Sequence, residues 1–505
     1  MTFGFCLHNQ REQTNTLYLT EKAGLSMLKH LQSHQEYLAI QERLRGLVPL
    51  EALKEYQETL DMFQHLNFDS SHDHLASLYS TTGRPALAQI ELLRACVFCA
   101  YYAMSWERLI HRLHHRSVYR LIIGIDKENI PTLPSFYAIS RRLIPSGEKT
   151  MVRQPKKRKP VNPFKKNEKM PESKKNRTER VAKLVRKADF NAFRPERHLQ
   201  KLFKHVSVDS SIRAGILDNA LYISGDGTCV HTGASSYGRK TCHCRQKGIF
   251  SCLCPRRYSD PLADYGWDSY KEHYFYGHTA YLLSTYNQEL ACDLPLYLKM
   301  VSAKRHDSVT AMISLAEFCQ LQLELTFNGF LSDSASDNYE TYRLLKEWDI
   351  PAFIALNDRK QGHFKYKQLD INNEGIPICE GGLPMVFDGR DYTRHRNKFR
   401  CPAKASKCVA CPLRAPCSQS DYGRTVYTKT DDNPRFFTEV PRQSAKWRSV
   451  MKQRTSIERI NKQVLRDCGV ENSGVRTRGR ITFWLTMAMM VIHLKAQYKH
   501  LTTQP

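Results

Sequence analysis

The chain has 505 residues, 41% of them hydrophobic, with a formal net charge of +26 and a pI near 9.4. That length exceeds one typical core and predicts more than one domain, and the excess of Lys and Arg points to a nucleic-acid partner, because neutralising phosphates releases counterions. The longest apolar stretch, Phe483 to Leu494, is too short to cross a bilayer, and the start M-T-F-G-F-C-L-H-N-Q lacks a basic region followed by an apolar core; a soluble, cytoplasmic protein with reduced thiols and no membrane partner is expected.

Residues 1–80 carry helical patterning without chemical motifs, as in Y-L-A-I-Q-E-R-L-R-G-L-V-P-L, and read as a helical extension. Residues 81–150 read as a small helical, DNA-binding domain. Pro85 is placed to open a helix carrying Leu92, Leu93, Cys96, Val97, Ala100 and Tyr101 at helical spacing. Further helices follow over Trp106 to His114 and from Pro134 to Arg142, with Arg and His on the outer faces. Residues 151–190 include the run Q-P-K-K-R-K-P-V-N-P-F-K-K, which cannot bury a core and reads as a mobile tether. Its Lys156, Lys157, Arg158 and Lys159 are candidate phosphate contacts.

Residues 191–497 contain a regular order of elements. A strand near 220–224 leads to Asp226 in L-Y-I-S-G-D-G-T-C-V. A cysteine-rich excursion near 240–256 follows, then the strands F-Y-G-H-T-A-Y-L-L-S and L-P-L-Y-L-K-M-V-S and the helix D-S-V-T-A-M-I-S-L-A-E-F-C-Q. A strand ends at Asp333, a helix D-N-Y-E-T-Y-R-L-L-K-E-W leads to the strand P-A-F-I-A-L, and a second cysteine-rich excursion lies near 398–420. Two closing helices lie around Glu458 and from Phe483 to Gln497. This order predicts an α/β fold, a mixed sheet with covering helices.

Asp226, Asp333 and Glu458 sit on separate elements of a basic chain. Such a set suggests a cage for Mg²⁺ or Mn²⁺, since hard divalent cations take oxygen ligands and two of them can clamp both oxygens of a phosphodiester displacement. Asp337 competes with Asp333 for the second place, and an acid of this kind taken alone is more often a solvated turn, helix cap or surface group. Arg454 and Lys462 lie one turn to either side of Glu458 and are candidate phosphate contacts. His278 and His306 either line the site or are satisfied structural histidines. Cys242, Cys244, Cys252 and Cys254 form C-x-C…C-x-C, and Cys401, Cys408, Cys411 and Cys417 form C-x₆-C-x₂-C-x₅-C; the second is nearer the usual zinc spacing. Cys379 and the other cysteines read as packing residues.

Taken together these strings resemble a bacterial insertion-sequence transposase of the DDE type. G-D-G-T resembles that family's first-acid motif, D-S-A-S-D-N-Y-E the second, and R-T-S-I-E-R the third, with Arg454 and Glu458 in R-x-x-x-E spacing. The segments C-H-C-R-Q-K-G-I-F-S-C-L-C-P-R-R-Y-S-D-P and Y-G-W-D-S-Y-K-E-H-Y-F-Y-G-H-T, and the stretch from G-R-P-A-L to R-R-L, are also similar, so the likeness covers roughly residues 80–497. Met451 and Leu465 stand where some relatives carry tyrosine and lysine. The resemblance implies an RNase H-like catalytic domain, metal-dependent cleavage and strand transfer of DNA, terminal inverted repeats and target DNA as partners, and a homo-oligomer, a dimer, on DNA. A transposase-derived binding protein without catalysis, and a nuclease that cuts without joining, are the alternative functions.

Overall fold

A computed structural model describes residues 30–503 apart from 81, 83–85, 146–151, 155–156, 160–176, 191–193, 358–363, 406–410, 412 and 472–473. The described N-terminal part is helical. Helix α1 (His34–Arg45) opens with a reciprocal cap between Ser33 and Glu36. Short helices follow over Leu50–Glu55, Gln57–Phe63 and His72–Ala76. Then come α2 (Gln89–Tyr101), α3 (Trp106–His115), α4 (Ser117–Ile123) and α5 (Leu133–Leu143). Expected Pro85 lies outside the described residues, and α2 opens at Gln89. On α3 the arginine and histidine side chains Arg108, His111, His114 and His115 are exposed. Arg94 departs from that pattern. It is buried in α2, donates to the Gln32 side chain and the Ile123 carbonyl, and stacks over Tyr37 at 3.5 Å.

A six-stranded sheet follows, built from β1 (Ala220–His231), β2 (His273–Asn287), β3 (Cys292–Ser302), β4 (Thr326–Ser332) and β5 (Ala352–Ile354), with a short strand Asp264–Asp268. β1 is central: antiparallel to β2, which is antiparallel to β3, and parallel to β4, which is parallel to β5. β2 is long enough to pair with Asp264–Asp268 along His273–Gly277 and with β3 along His278–Asn287. Helix α6 (Asp307–Leu321) packs on β1, β2 and β3, as does α8 (Thr455–Lys462); α7 (Tyr339–Glu347) crosses between β4 and β5. The last helix, α9 (Arg478–Thr503), joins the two regions by packing against both β3 and α2. One apolar core runs from the N-terminal helices through α9 into the sheet. At that junction Trp106 of α3 stacks on Phe136 of α5 and Trp484 of α9, with ring centroids 5.5 and 5.4 Å apart.

Two expectations need correction. The strand at 220–224 does not stop at its acid but runs on to His231, because Thr228, Cys229 and Val230 pair with Ala280, Thr279 and His278. The basic segment 151–190 is not a tether throughout. Val152–Gln154 forms a strand against Arg256–Tyr258, and Arg177–Lys187 forms a helix. That helix carries Ala182 and Val185 on one face and buries them against Met312, Ala316 and Leu344.

His493 of α9 ties this helix to the sheet. Its ring bonds the Pro295 carbonyl at 2.7 Å and the Ser211 hydroxyl at 2.8 Å, and burial holds its pKa down at about 4. The folded state therefore takes up this proton only near pH 4, whereas the unfolded chain takes it up near 6.5, so stability is lost as pH falls through that window. We expect the stability advantage of wild type over His493→Gln to shrink by about 2 kcal/mol between about pH 7.5 and pH 5, measured by urea unfolding.

Candidate active site

β1 carries Asp226, half-buried, with glycines on both sides, Gly225 and Gly227. Those glycines leave space that other groups fill. A Cβ at Gly225 would lie 2.7 Å from the Tyr281 hydroxyl, and one at Gly227 would lie 2.2 Å from an Asp307 carboxylate oxygen. Asp333 follows β4 and caps the next turn through its bond from the Ala335 N–H at 3.1 Å. The parallel pairing of β1 with β4 brings the two acids to one end of the sheet. Asp226, Asp307 and Asp333 consequently act on one another electrostatically. Burial first, then repulsion from Asp307 and Asp333, pushes the Asp226 carboxyl up to about 7. Burial and Asp333 push Asp307 up to about 6.

The third expected acid is placed differently. Glu458 lies on α8, whose buried face is Ser456, Ile457, Ile460 and Asn461. Asn461, one turn further on, donates to Asp226 at 3.3 Å. Glu458 itself has a 52% exposed side chain, bonded to Arg454 at 2.6 Å. Arg454 is the cation that acts on Asp226. Lys462 is exposed at the end of the same helix. So α8 lies against the acidic pocket, but its glutamate is held by an arginine at the rim.

Asp337 is fully buried and spent on structure. It takes a forked pair from Arg435 at 2.8 and 2.6 Å and accepts from the Asn357 N–H and the Tyr342 hydroxyl. His278 is also structural. It is buried against Asp260 at 2.8 Å, which additionally accepts from Thr232 and the Thr477 N–H. His306 precedes α6 and gives its carbonyl to the Thr310 N–H and hydroxyl. Of the candidate phosphate contacts in the basic run, Lys156 lies outside the described residues, Lys157 approaches Asp264 at 3.8 Å, and Arg158 and Lys159 are exposed.

Asp307 was absent from the sequence-based set. It sits at a helix start, where an acid is ordinary capping chemistry, and no recognisable string surrounds it. The adjacent His306 and the strand-to-helix boundary are the only local signal.

Cys242, Cys244, Cys252 and Cys254 bring their sulfurs within 4.8 Å of one another and could hold a metal ion. The Cys242–Cys252 and Cys244–Cys254 separations are both 3.6 Å, close to the edge of a tetrahedron with Zn–S bonds of about 2.3 Å. Without a metal the four thiols share their charge unevenly: the Cys244 backbone N–H and the Cys252 thiol hold Cys242 down at about 7, while hydrogen bonds with Cys254 and Cys242 push Cys244 up. Cys408 of the other group lies outside the described residues. Its partners Cys401, Cys411 and Cys417 line one small cavity together with Cys379, which the spacing had not linked to them. The more compact C-x-C pairs are thus assembled by the hairpin-like turn between them, which linear spacing undervalued.

Protein purified under reducing conditions should carry about one zinc per chain in this group. Metal analysis should show that zinc lost in a Cys242→Ser/Cys252→Ser variant, with little change in the sheet's far-ultraviolet dichroism.

Among the described residues no helix is long and apolar enough to cross a membrane. No curated protein and no solved structure matches the chain. Residues 49–142, from the Leu50–Glu55 helix to α5, match the family model described as a transposase domain (DUF772). The chain therefore carries a transposase domain, which connects it with transposition and with DNA.

Proposed function

We propose that the chain is a DDE transposase whose sheet domain is RNase H-like and cleaves and joins DNA strands at the ends of an insertion-sequence element. The observation that carries this reading is the shared pocket of Asp226 and Asp333, two acids from neighbouring parallel strands, beside the helix of Glu458. The strand order, with a long antiparallel pair beside β1 and two parallel strands on its other edge, supports the RNase H-like assignment. The transposase domain at residues 49–142 supports the substrate class.

The residues fit a divalent cation. Asp226 and Asp307 are half-buried carboxylates held near other acids, and ionising them together calls for a counter-charge. Mg²⁺ or Mn²⁺ bound by Asp226, Asp333 and Glu458 would activate the attacking water or 3′-hydroxyl and offset charge on the leaving oxygen. Asn461 orients Asp226 through its amide. Arg454 offers a guanidinium at the pocket rim, suited to a phosphate that displaces Glu458 from it. Lys462, Arg158 and Lys159 offer further exposed cations for the backbone of the terminal repeats or target. A dimer on DNA is part of the same reading.

Two substitutions separate chemistry from binding. Asp226→Asn should lower Mg²⁺-dependent cleavage and strand transfer by about a hundredfold or more, with DNA binding retained. Arg158→Ala/Lys159→Ala should weaken binding and flatten its salt dependence by up to about 0.9 per lost phosphate contact. Gel-shift titrations at several salt concentrations beside a cleavage assay check both. Wild-type cleavage by Asp226→Asn would leave only a DNA-binding role, and cleavage without joining would indicate a nuclease.

A further inference from the structure

The acidic pocket contains one carboxylate more than the proposed catalytic triad assigns to it. Asp307 opens α6 directly after β3, and its carboxylate rests on the backbone of Gly227, so close that any side chain there would occupy its place. Among the described residues no hydrogen-bond donor and no cation pairs with that carboxylate, and the charged groups acting on it include Asp226 and Asp333. A half-buried carboxylate set beside two like charges is unfavourable unless something positive joins them.

Two further groups are placed to serve a cation there. The Tyr281 ring is 1% exposed, and its hydroxyl, which interacts with the Ser332 hydroxyl, lies within electrostatic reach of Asp226, Asp307 and Asp333. Asn461 is buried, its amide nitrogen is on Asp226, and its side-chain carbonyl has no partner. Buried polar atoms without partners are uncommon. Here a neutral hydroxyl and a neutral carbonyl oxygen lie around the same carboxylates, the ligand chemistry that hard divalent cations and their bound waters take. Glu458, meanwhile, is half exposed and engaged by Arg454.

We propose that Asp307 is a fourth carboxylate of the divalent-cation site, and that in the DNA-free protein Asp226, Asp307 and Asp333 hold the cation while Glu458 stays with Arg454. This rests on the metal-dependent reading above and deepens it. Glu458 would then enter when a DNA phosphate takes Arg454, so that the metal is loaded by one set of acids and the reacting complex is completed by another.

The test is Mn²⁺ titration of the full chain without DNA, reading free Mn²⁺ by electron paramagnetic resonance, for wild type and for Asp226→Asn, Asp307→Asn, Asp333→Asn and Glu458→Gln. Asp307→Asn should weaken Mn²⁺ binding by about tenfold or more, as Asp226→Asn does, and Glu458→Gln by less than about twofold. Metal-free Asp307→Asn should melt at or above the wild-type temperature, since the charge removed had no partner. Asp307→Ser, which replaces the carboxylate with a smaller neutral polar group, repeats the measurement should the amide disturb folding. Wild-type affinity in both Asp307 variants, with binding lost in Asp226→Asn, overturns the fourth-ligand role and leaves the metal reading standing. A lowered melting temperature with unchanged affinity makes Asp307 structural and also overturns it. Wild-type affinity in Asp226→Asn and Asp333→Asn overturns the metal reading itself.

Discussion

Repulsion among Asp226, Asp307 and Asp333 is the constraint around which this structure is organised. Three carboxylates meet at one end of a sheet, where burial raises the cost of charge on Asp226 and Asp307. The chain is strongly basic, yet two arginines of the sheet region are committed to other acids. Arg435 is forked onto Asp337, and Arg459 onto Asp293. Arg454 acts on Asp226 from the rim, and it is bonded to Glu458. Folding must therefore overcome local electrostatic strain, and the packing around the pocket is what makes that tolerable.

That packing is extensive. β1 lies between β2 and β4 in the sheet, and α6 and α8 pack on it. α9 extends the same core into the N-terminal helices through Trp106, Phe136 and Trp484. The segment 49–142 that matches the transposase-domain model thus shares its hydrophobic core with the sheet. A displacement of α3 or α5 would be felt by α9, and through His493 by β3.

Much of this was legible in the chain. Runs of apolar, β-prone residues located all five main strands and helical spacing the helices between them, since composition and length are local properties. Asp226 and Asp333 were recognisable because each follows an apolar strand segment. The choice between Asp333 and Asp337 was not a local matter: only the distant Arg435 shows that Asp337 is consumed by an ion pair. Asp307 escaped notice for the opposite reason, because an acid at a helix start has an ordinary explanation and its unusual feature is a tertiary one, the bare backbone of Gly227 beneath it. The basic run at 151–190 read as a tether from its charge, while Ala182 and Val185 within it find a buried face only once α6 and α7 are in place. Cysteine spacing ranked the two clusters by convention, and the turn that closes Cys242–Cys254 on itself was invisible to that count.

The central claim is that the pocket around Asp226 is a divalent-cation site. Anomalous diffraction from crystals soaked in Mn²⁺ tests it most directly. The expected result is a manganese peak within about 2.0–2.6 Å of carboxylate oxygens of Asp226 and Asp333. Crystals that diffract well and show no peak there, or peaks only at surface acids, would contradict it.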